Sequence, residues 1–370
     1  MQAPAGSAES ADEYAGDIGA LREWVEANQP AFDAIEEAIE KDYLGVPVFV
    51  GPKGMPAPDI EWLSGSRRLT RLCTDAGFLA ELEGRPDDAA AWYVKCLRMG
   101  RHRRKGITID NLVSAALTSI GAGNLEHLIA NTDLSEATLR EIMAECGAGP
   151  PVLEEIAFVL DAEEEYFRAH PAILKIGAEF RNHSMRNLNR ARRNFATPLS
   201  ELVQREDAGE WLANGHPRES LWRWRGELAR REVRLQALKL RAALALYRTR
   251  HGSFPEALDQ LSPDILPAIP LDPFTNKPFA YESDGKTWEL RSSGPDGIVG
   301  NEEEVSPSQL RGQFSEEIRK FDGTALPLDY IFLFALDSTE NVRRGKHPKA
   351  DARWRKLHPQ PPRPKGLPPE

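Results

Sequence analysis

The chain of 370 residues is long enough for two or three hydrophobic cores, since a domain takes roughly 100–200 residues. Hydrophobic residues make up 41% of it and charged residues 28%, a balance typical of folded globular proteins and not of disordered chains. The net charge of −10 argues against a general nucleic-acid binder, because phosphate binding normally requires a basic face. No apolar run approaches the roughly 18 residues of a membrane span.

Three cysteines occur in the chain, at Cys73, Cys96 and Cys146. They are sparse, odd in number and without C-x-x-C spacing, which favours small buried hydrophobes over a zinc site or a disulfide framework. A single bridge between two of them is left open, so the cysteines do not identify the compartment.

Residues 1–205 are predicted to form an all-α helical domain, because apolar residues recur there at helical spacing. Ile18 and Leu21 share one face of the first helix. Pro30 is suited to the start of the second helix, since its missing N–H would have no partner there anyway. Ser135 is predicted to cap a later helix.

The segment 69–100 predicts a helical hairpin with its turn over 84–88, beginning at Gly84. Ala89, Tyr93 and Leu97 then place an apolar face on the second helix. With Gly84, these residues resemble the turn and second helix of a tetratricopeptide repeat. One such hairpin cannot bury its own apolar face and must stack on neighbouring helices. An ordinary helical hairpin is the alternative.

A second unit is predicted to begin after the Gly- and Pro-containing stretch 196–218. One long amphipathic helix is expected over 219–250, and Gly252 is suited to the left-handed position that ends a helix. Its apolar stripe includes Leu228, Leu235, Leu238 and Ala242.

Two antiparallel strands, 278–281 and 288–291, are predicted around Asp284 and Gly285, because Asp-Gly favours a hairpin turn. The expected fold class is therefore α+β, an all-α domain followed by a long helix packed on a small antiparallel sheet. The Pro-rich, basic residues 346–370 are expected to be a disordered tail.

Five features follow one another in the second unit. They are Leu-Ala-Leu-Tyr at 244–247, His-Gly-Ser-Phe-Pro at 251–255, the turn 269–274 with Asn276, the hairpin, and Ser-Gly-Pro-Asp-Gly at 293–297 before an acidic cluster. In this order, the segment 235–305 resembles the globular part of the major pseudopilin of bacterial type II secretion systems. The whole arrangement is similar to bacterial envelope proteins in which a pseudopilin-like module follows a helical domain.

The resemblance implies a calcium site, because the family binds calcium in the loop that follows the Gly-Pro-Asp-Gly turn. The matching residues are Asp296, Glu303 and Glu304, with Asn301 close by. Calcium takes six to eight oxygen ligands at ~2.3–2.6 Å, and clustered carboxylates with backbone carbonyls supply such ligands. An acidic surface loop without a cation is the alternative.

The sequence differs from the family at both ends of the module, which we assign to 219–336. Residues 306–325 intervene before a strand expected near Tyr330. The family's processing motif and membrane helix are not found near Met1. An extracytoplasmic position in the cell envelope, which the family implies, therefore requires an anchor or signal upstream of Met1; without one, the chain is expected in the cytoplasm.

A basic run between Arg181 and Arg193 is expected to pair with the acidic run 154–165, which includes Glu155, within the molecule. No H-E-x-x-H or G-x-S-x-G motif occurs, so no catalytic residue is predicted. We expect a non-catalytic, secretion-associated scaffold or interaction protein with a protein partner and no nucleic acid. The alternative is a soluble regulatory or polyanion-binding protein that uses the basic run.

Overall fold

The computed structural model describes residues 18–41, 48–50, 56–58, 60–102, 108–149, 152–169, 218–293 and 330–334. The helices within these ranges are α1 (Ile18–Ala27), α2 (Gln29–Ile39), α3 (Ile60–Leu82), α4 (Pro86–Arg101), α5 (Thr108–Asn131), α6 (Glu136–Gly147), α7 (Val152–Ala169) and α8 (Arg218–His251). The strands are β1 (Val48–Val50), β2 (Pro56–Pro58), β3 (Leu271–Asp272), β4 (Lys277–Pro278), β5 (Ala280–Ser283), β6 (Trp288–Ser292) and β7 (Tyr330–Phe334). A 3₁₀ helix, Leu258–Leu261, lies between α8 and β3. The mostly helical chain with small antiparallel sheets confirms the α+β prediction.

Helices α3 and α4 form the predicted hairpin, and Gly84 turns the chain between them with φ of +72°. Pro86 begins α4, and Ala89 and Tyr93 of this helix are fully buried. A Cβ atom built on Gly77 of α3 would lie only 2.4 Å from Cε1 of Tyr93, so the tyrosine ring packs directly on the α3 backbone. The likeness of this hairpin to a tetratricopeptide repeat stays a prediction.

Helix α5 is the central helix of the helical region and packs on α4 and on α8. A Cβ atom built on Gly121 would lie 2.8 Å from Cβ of Cys96 in α4. One built on Gly123 would lie 3.0 Å from a guanidinium nitrogen of Arg234 in α8. Glycine at position 121 therefore lets α4 approach α5 closely, and Gly123 leaves room for the Arg234 side chain.

Local capping chemistry sets the ends of several helices as the sequence predicted. The backbone N–H of Thr138 donates to the Ser135 hydroxyl at 3.2 Å, which caps the start of α6. Pro30 lies in the first turn of α2. Gly252 has φ of +78°, and its N–H donates to the Arg248 carbonyl oxygen at 2.7 Å, closing the end of α8.

Helix α8 is continuous over 34 residues and confirms the prediction of a single helix over 219–250. It contacts β3 and the 3₁₀ helix, but it packs more extensively along α5 and α6. The sequence does not predict this second set of contacts, because helical spacing shows which face is apolar and not which element covers it. One hydrophobic cluster accordingly joins buried residues of α3–α6, α8 and the sheet region.

The C-terminal strands form an antiparallel sheet in the order β5-β6-β7. Tyr281 pairs with Leu290, and Leu290 pairs with Phe332, so both the predicted hairpin and the predicted strand near Tyr330 are present. The single strand expected over 278–281 is divided. Pro278 pairs with Leu271 in a separate β3-β4 ribbon. Proline has no N–H to donate to a strand ladder, which favours a break in the strand at this position.

Two further findings concern a short ribbon between α2 and α3 and the character of the helices. Strands β1 and β2 form a short antiparallel ribbon that the sequence did not predict. Within the described ranges, none of the helices combines the length and apolar character needed to cross a bilayer. Residues 196–217 of the predicted boundary stretch, the insertion 306–325 and the tail 346–370 lie outside the described residues.

Candidate functional site

The buried carboxylate of Asp272 organises the turn between β3 and β4. Its Oδ1 atom accepts a hydrogen bond from the Phe274 N–H at 2.9 Å. Its Oδ2 atom accepts from the Ser292 hydroxyl and from the Ser293 N–H, both at 2.9 Å. A fully buried carboxylate is favourable only when its oxygens are hydrogen-bonded in this way. Asp272 therefore fixes the end of β6, from which the predicted calcium loop departs.

Hydrogen bonds between backbone groups of the turn itself also stabilise it. The Asn276 N–H donates to the Asp272 carbonyl oxygen at 2.7 Å, and Asn276 has φ of +55°, a conformation that asparagine tolerates better than most residues. Phe274 is fully buried beneath the turn. The sequence matched these residues to a family motif but did not indicate the two long-range acceptor contacts of Asp272. The feature that the sequence did offer is an aspartate at a turn, since such a side chain often accepts a hydrogen bond from the backbone N–H two residues later.

An aromatic cluster joins the segment after α8 to the hairpin. The Phe254 and Trp288 rings meet edge to face at 6.4 Å between centroids, and the Tyr281 ring lies at the same distance from Trp288. The Tyr281 hydroxyl donates to the Pro255 carbonyl oxygen at 2.9 Å, and burial raises its pKa. The Phe254 N–H also donates to the Gly285 carbonyl oxygen at 2.9 Å, which anchors the hairpin turn.

Arg241 of α8 connects this cluster to the helical region. Its guanidinium donates to the Glu126 carbonyl oxygen of α5 at 3.1 Å and lies 5.6 Å from the centroid of the Trp288 ring. Burial lowers the pKa of Arg241. A desolvated guanidinium over an aromatic face is an attractive contact. One side chain of α8 thus contacts both α5 and β6.

Four further arginines of α8 bind acidic residues of the helical region. The Arg231–Glu155 pair is the most buried, with 1% of each side chain exposed. Its nitrogens approach both carboxylate oxygens, one of them at 2.9 Å, so the pair is bidentate. The remaining pairs are Arg234–Glu126 at 2.8 Å, Arg248–Asp133 at 3.2 Å and Arg250–Glu136 at 2.5 Å. We call these four pairs the α8 arginine ladder.

The ladder crosses from buried to exposed surroundings along α8. Hydrogen bonds from Arg250 and Arg140 lower the pKa of the exposed Glu136 carboxyl. Such exposed pairs contribute little to stability, whereas the buried Arg231–Glu155 pair is costly to disrupt. The sequence suggested that Glu155 would face the basic run between Arg181 and Arg193; in the structure its partner is Arg231.

Three large apolar side chains are exposed among the described residues. Leu271 of β3 is 49% exposed, directly beside Asp272. Phe158 of α7 is also 49% exposed, and Ile18 of α1 is 39% exposed. A single exposed apolar residue is common on protein surfaces, so its position in a rigid turn is what makes Leu271 a candidate contact.

The predicted calcium ligands Asp296, Asn301, Glu303 and Glu304 lie outside the described residues, as does the run between Arg181 and Arg193. In the part of the chain that the structure describes, no group of three or more metal-binding side chains occurs. The described part of the candidate site is therefore the Asp272 turn, the aromatic cluster and the α8 arginine ladder. Comparison of the chain with protein-family models, curated proteins and solved structures found no match.

Proposed function

We propose that this chain is a non-catalytic scaffold of the cell envelope, in which a pseudopilin-like module binds a protein partner of a secretion system. The observation that supports this best is the fixed attachment of the hairpin to the helical region. Arg241 contacts Trp288 on one side and α5 on the other, and α8 packs along α5 and α6. A module held in this way presents a constant surface to a partner, which lowers the entropy lost on binding.

The proposed contact surface is centred on Leu271. Its backbone pairs with Pro278, and its neighbour Asp272 is held by three hydrogen bonds. An exposed leucine on such a rigid turn provides apolar area for a partner without the cost of ordering a loop. The family resemblance favours an extracytoplasmic partner.

We expect the purified chain to bind the soluble domain of a type II secretion pseudopilin in isothermal titration calorimetry. Leu271→Asp should weaken this binding, because a charge would replace apolar area at the centre of the contact. Ile18→Asp is the matched control: it introduces the same charge at another exposed apolar position, on α1, and should leave the affinity unchanged.

Two outcomes would contradict this function. The first is no binding to the pseudopilin domain. The second is binding to a labelled oligonucleotide at about 150 mM salt, tighter than the non-specific range of roughly 10⁻⁴–10⁻⁶ M. If such binding were lost in the Arg190→Glu, Arg193→Glu variant, the polyanion-binding alternative would replace the scaffold.

Calcium is the proposed cofactor of the module, through Asp296, Glu303 and Glu304. The hydrogen bond from the Ser293 N–H to Asp272 supports this proposal, because it fixes the chain three residues before Asp296. An ion bound only to the folded state stabilises it by about 2.7 kcal/mol at a hundredfold excess over Kd. We therefore expect a higher melting temperature in millimolar calcium than in chelator, and a smaller shift with magnesium.

The Asp296→Ala variant should lose the calcium shift. Asp284→Ala is the matched control, because Asp284 is an acidic residue of the hairpin turn whose carboxylate accepts from the Lys286 and Thr287 N–H groups instead. Its calcium shift should equal that of the unmodified chain. The acidic-surface interpretation alone would remain in either of two cases: the melting temperature of the unmodified chain does not change with calcium, or the Asp296→Ala variant keeps the shift.

A further inference from the structure

Two of the three cysteines lie in one cluster between neighbouring helices. Cys73 of α3 and Cys96 of α4 are both completely buried and belong to the same hydrophobic cluster. The neighbouring Cys73 thiol raises the pKa of Cys96, together with burial. The Cys96 Sγ atom also lies 3.8 Å from the Thr70 carbonyl oxygen, one helical turn before Cys73, so it is directed at this stretch of α3.

The third cysteine lies in a different part of the core. Cys146 lies in the last turn of α6 and belongs to the cluster that includes α8. Cys73 and Cys96 belong instead to the cluster formed with α2 and α5. Burial raises the pKa of Cys146. The neighbouring Cys73, together with burial, also raises the pKa of Cys96. In the closed fold, neither thiol is a ready nucleophile, because only the thiolate attacks a disulfide.

We propose that Cys73 and Cys96 are a native disulfide-forming pair that joins α3 to α4 when the chain meets an oxidising compartment. The two thiols release two protons and two electrons to a small-molecule or protein disulfide, which is reduced to two thiols. One cysteine first forms a mixed disulfide with the oxidant, and the second displaces it. Since both residues are buried, this exchange occurs during folding or during local opening of the α3-α4 hairpin.

The bond would close a loop that contains the turn at Gly84. Cross-linking a loop stabilises a protein chiefly by reducing the freedom of its unfolded chain, provided that the bond fits the native geometry. A helical side chain leans over the turn before it, so the Cys73 thiol is directed toward the same Thr70 turn that the Cys96 Sγ atom approaches. We therefore expect the oxidised chain to keep its fold and to melt at a higher temperature than the reduced chain. This inference does not depend on the pseudopilin-like module or on its partner.

The test is to refold the full chain with oxidised glutathione, block remaining thiols, and map the peptides without reduction. We expect a peptide linked through Cys73 and Cys96, one blocked thiol at Cys146, and a melting temperature that falls on reduction. The Cys146→Ser variant should give the same linked peptide. The Cys73→Ala and Cys96→Ala variants should show no intramolecular link.

The peptide map of the unmodified chain is decisive even if an alanine variant does not fold. Three blocked thiols after refolding would overturn the proposal. A linked peptide that contains Cys146 would overturn it as well, because Cys73 and Cys96 would then not be the pair that reacts. A Cys73–Cys96 bond that lowers the melting temperature would also overturn it, since a bond in native geometry should stabilise the fold.

Discussion

Replacing Glu155 with leucine is expected to lower the free energy of unfolding by about 3–5 kcal/mol, because it leaves the Arg231 guanidinium buried without its counter-charge. Both side chains are 1% exposed, so water cannot replace the lost contact. Arg231→Met should cost a similar amount for the same reason. Urea unfolding followed by circular dichroism would measure both changes.

The double variant Glu155→Leu, Arg231→Met should recover much of the lost stability, since it removes both buried charges at once. Glu136→Leu is the matched control, because it breaks the exposed end of the same ladder at Arg250. Its effect should be far smaller and should decrease further in high salt, which screens exposed charges. Equal losses for Glu155→Leu and Glu136→Leu would show that burial of the first pair does not determine its cost.

Gly77→Ala is expected to destabilise the chain by about 1–3 kcal/mol, because its new methyl group would overlap the Tyr93 ring in a filled core. The built Cβ atom lies 2.4 Å from Cε1 and 2.8 Å from Cζ of that ring. The ring has little freedom to move away, since it is fully buried and its hydroxyl donates to Glu81. Thermal unfolding would show the loss as a lower melting temperature.

Gly65→Ala, in the same helix, provides the matched control. A Cβ atom built on Gly65 meets nothing within 4 Å, so this change adds only the better helix propensity of alanine, about 0.5–1 kcal/mol in favour of folding. The two substitutions should therefore act in opposite directions. The double variant Gly77→Ala, Tyr93→Leu should relieve the overlap. Two stabilising glycine replacements would contradict the close packing of α3 on Tyr93.

The sequence predicted features that depend on residues close together in the chain. Ser135 caps α6 through an N–H three residues away, and Gly252 ends α8 because it tolerates a positive φ. The hairpin at Asp284 and Gly285 follows from the same local chemistry. Capping and turn formation act within about four residues, so the identity of the residues is sufficient information.

For the candidate site, too, the sequence indicated local features and the structure added the long-range contacts. The resemblance pointed to the Asp272 turn and to the calcium residues Asp296, Asn301, Glu303 and Glu304, and the calcium site stays a prediction. The structure added the three hydrogen bonds to the Asp272 carboxylate, two of them from residues about twenty positions further on. A sequence pattern names an aspartate at a turn, but the burial of its carboxylate depends on where β6 ends beside it.

The sequence by itself thus determined the helices, their ends and the hairpin, because these depend on local backbone chemistry. Only the tertiary structure decided that Glu155 pairs with Arg231, 76 residues away, and that Gly77 lies against Tyr93. Helical spacing shows that one face of α8 is apolar, yet α5, α6 or the sheet could cover that face equally well. The choice among them depends on side-chain shape and on charge pairing between helices, which exist only after the helices have packed.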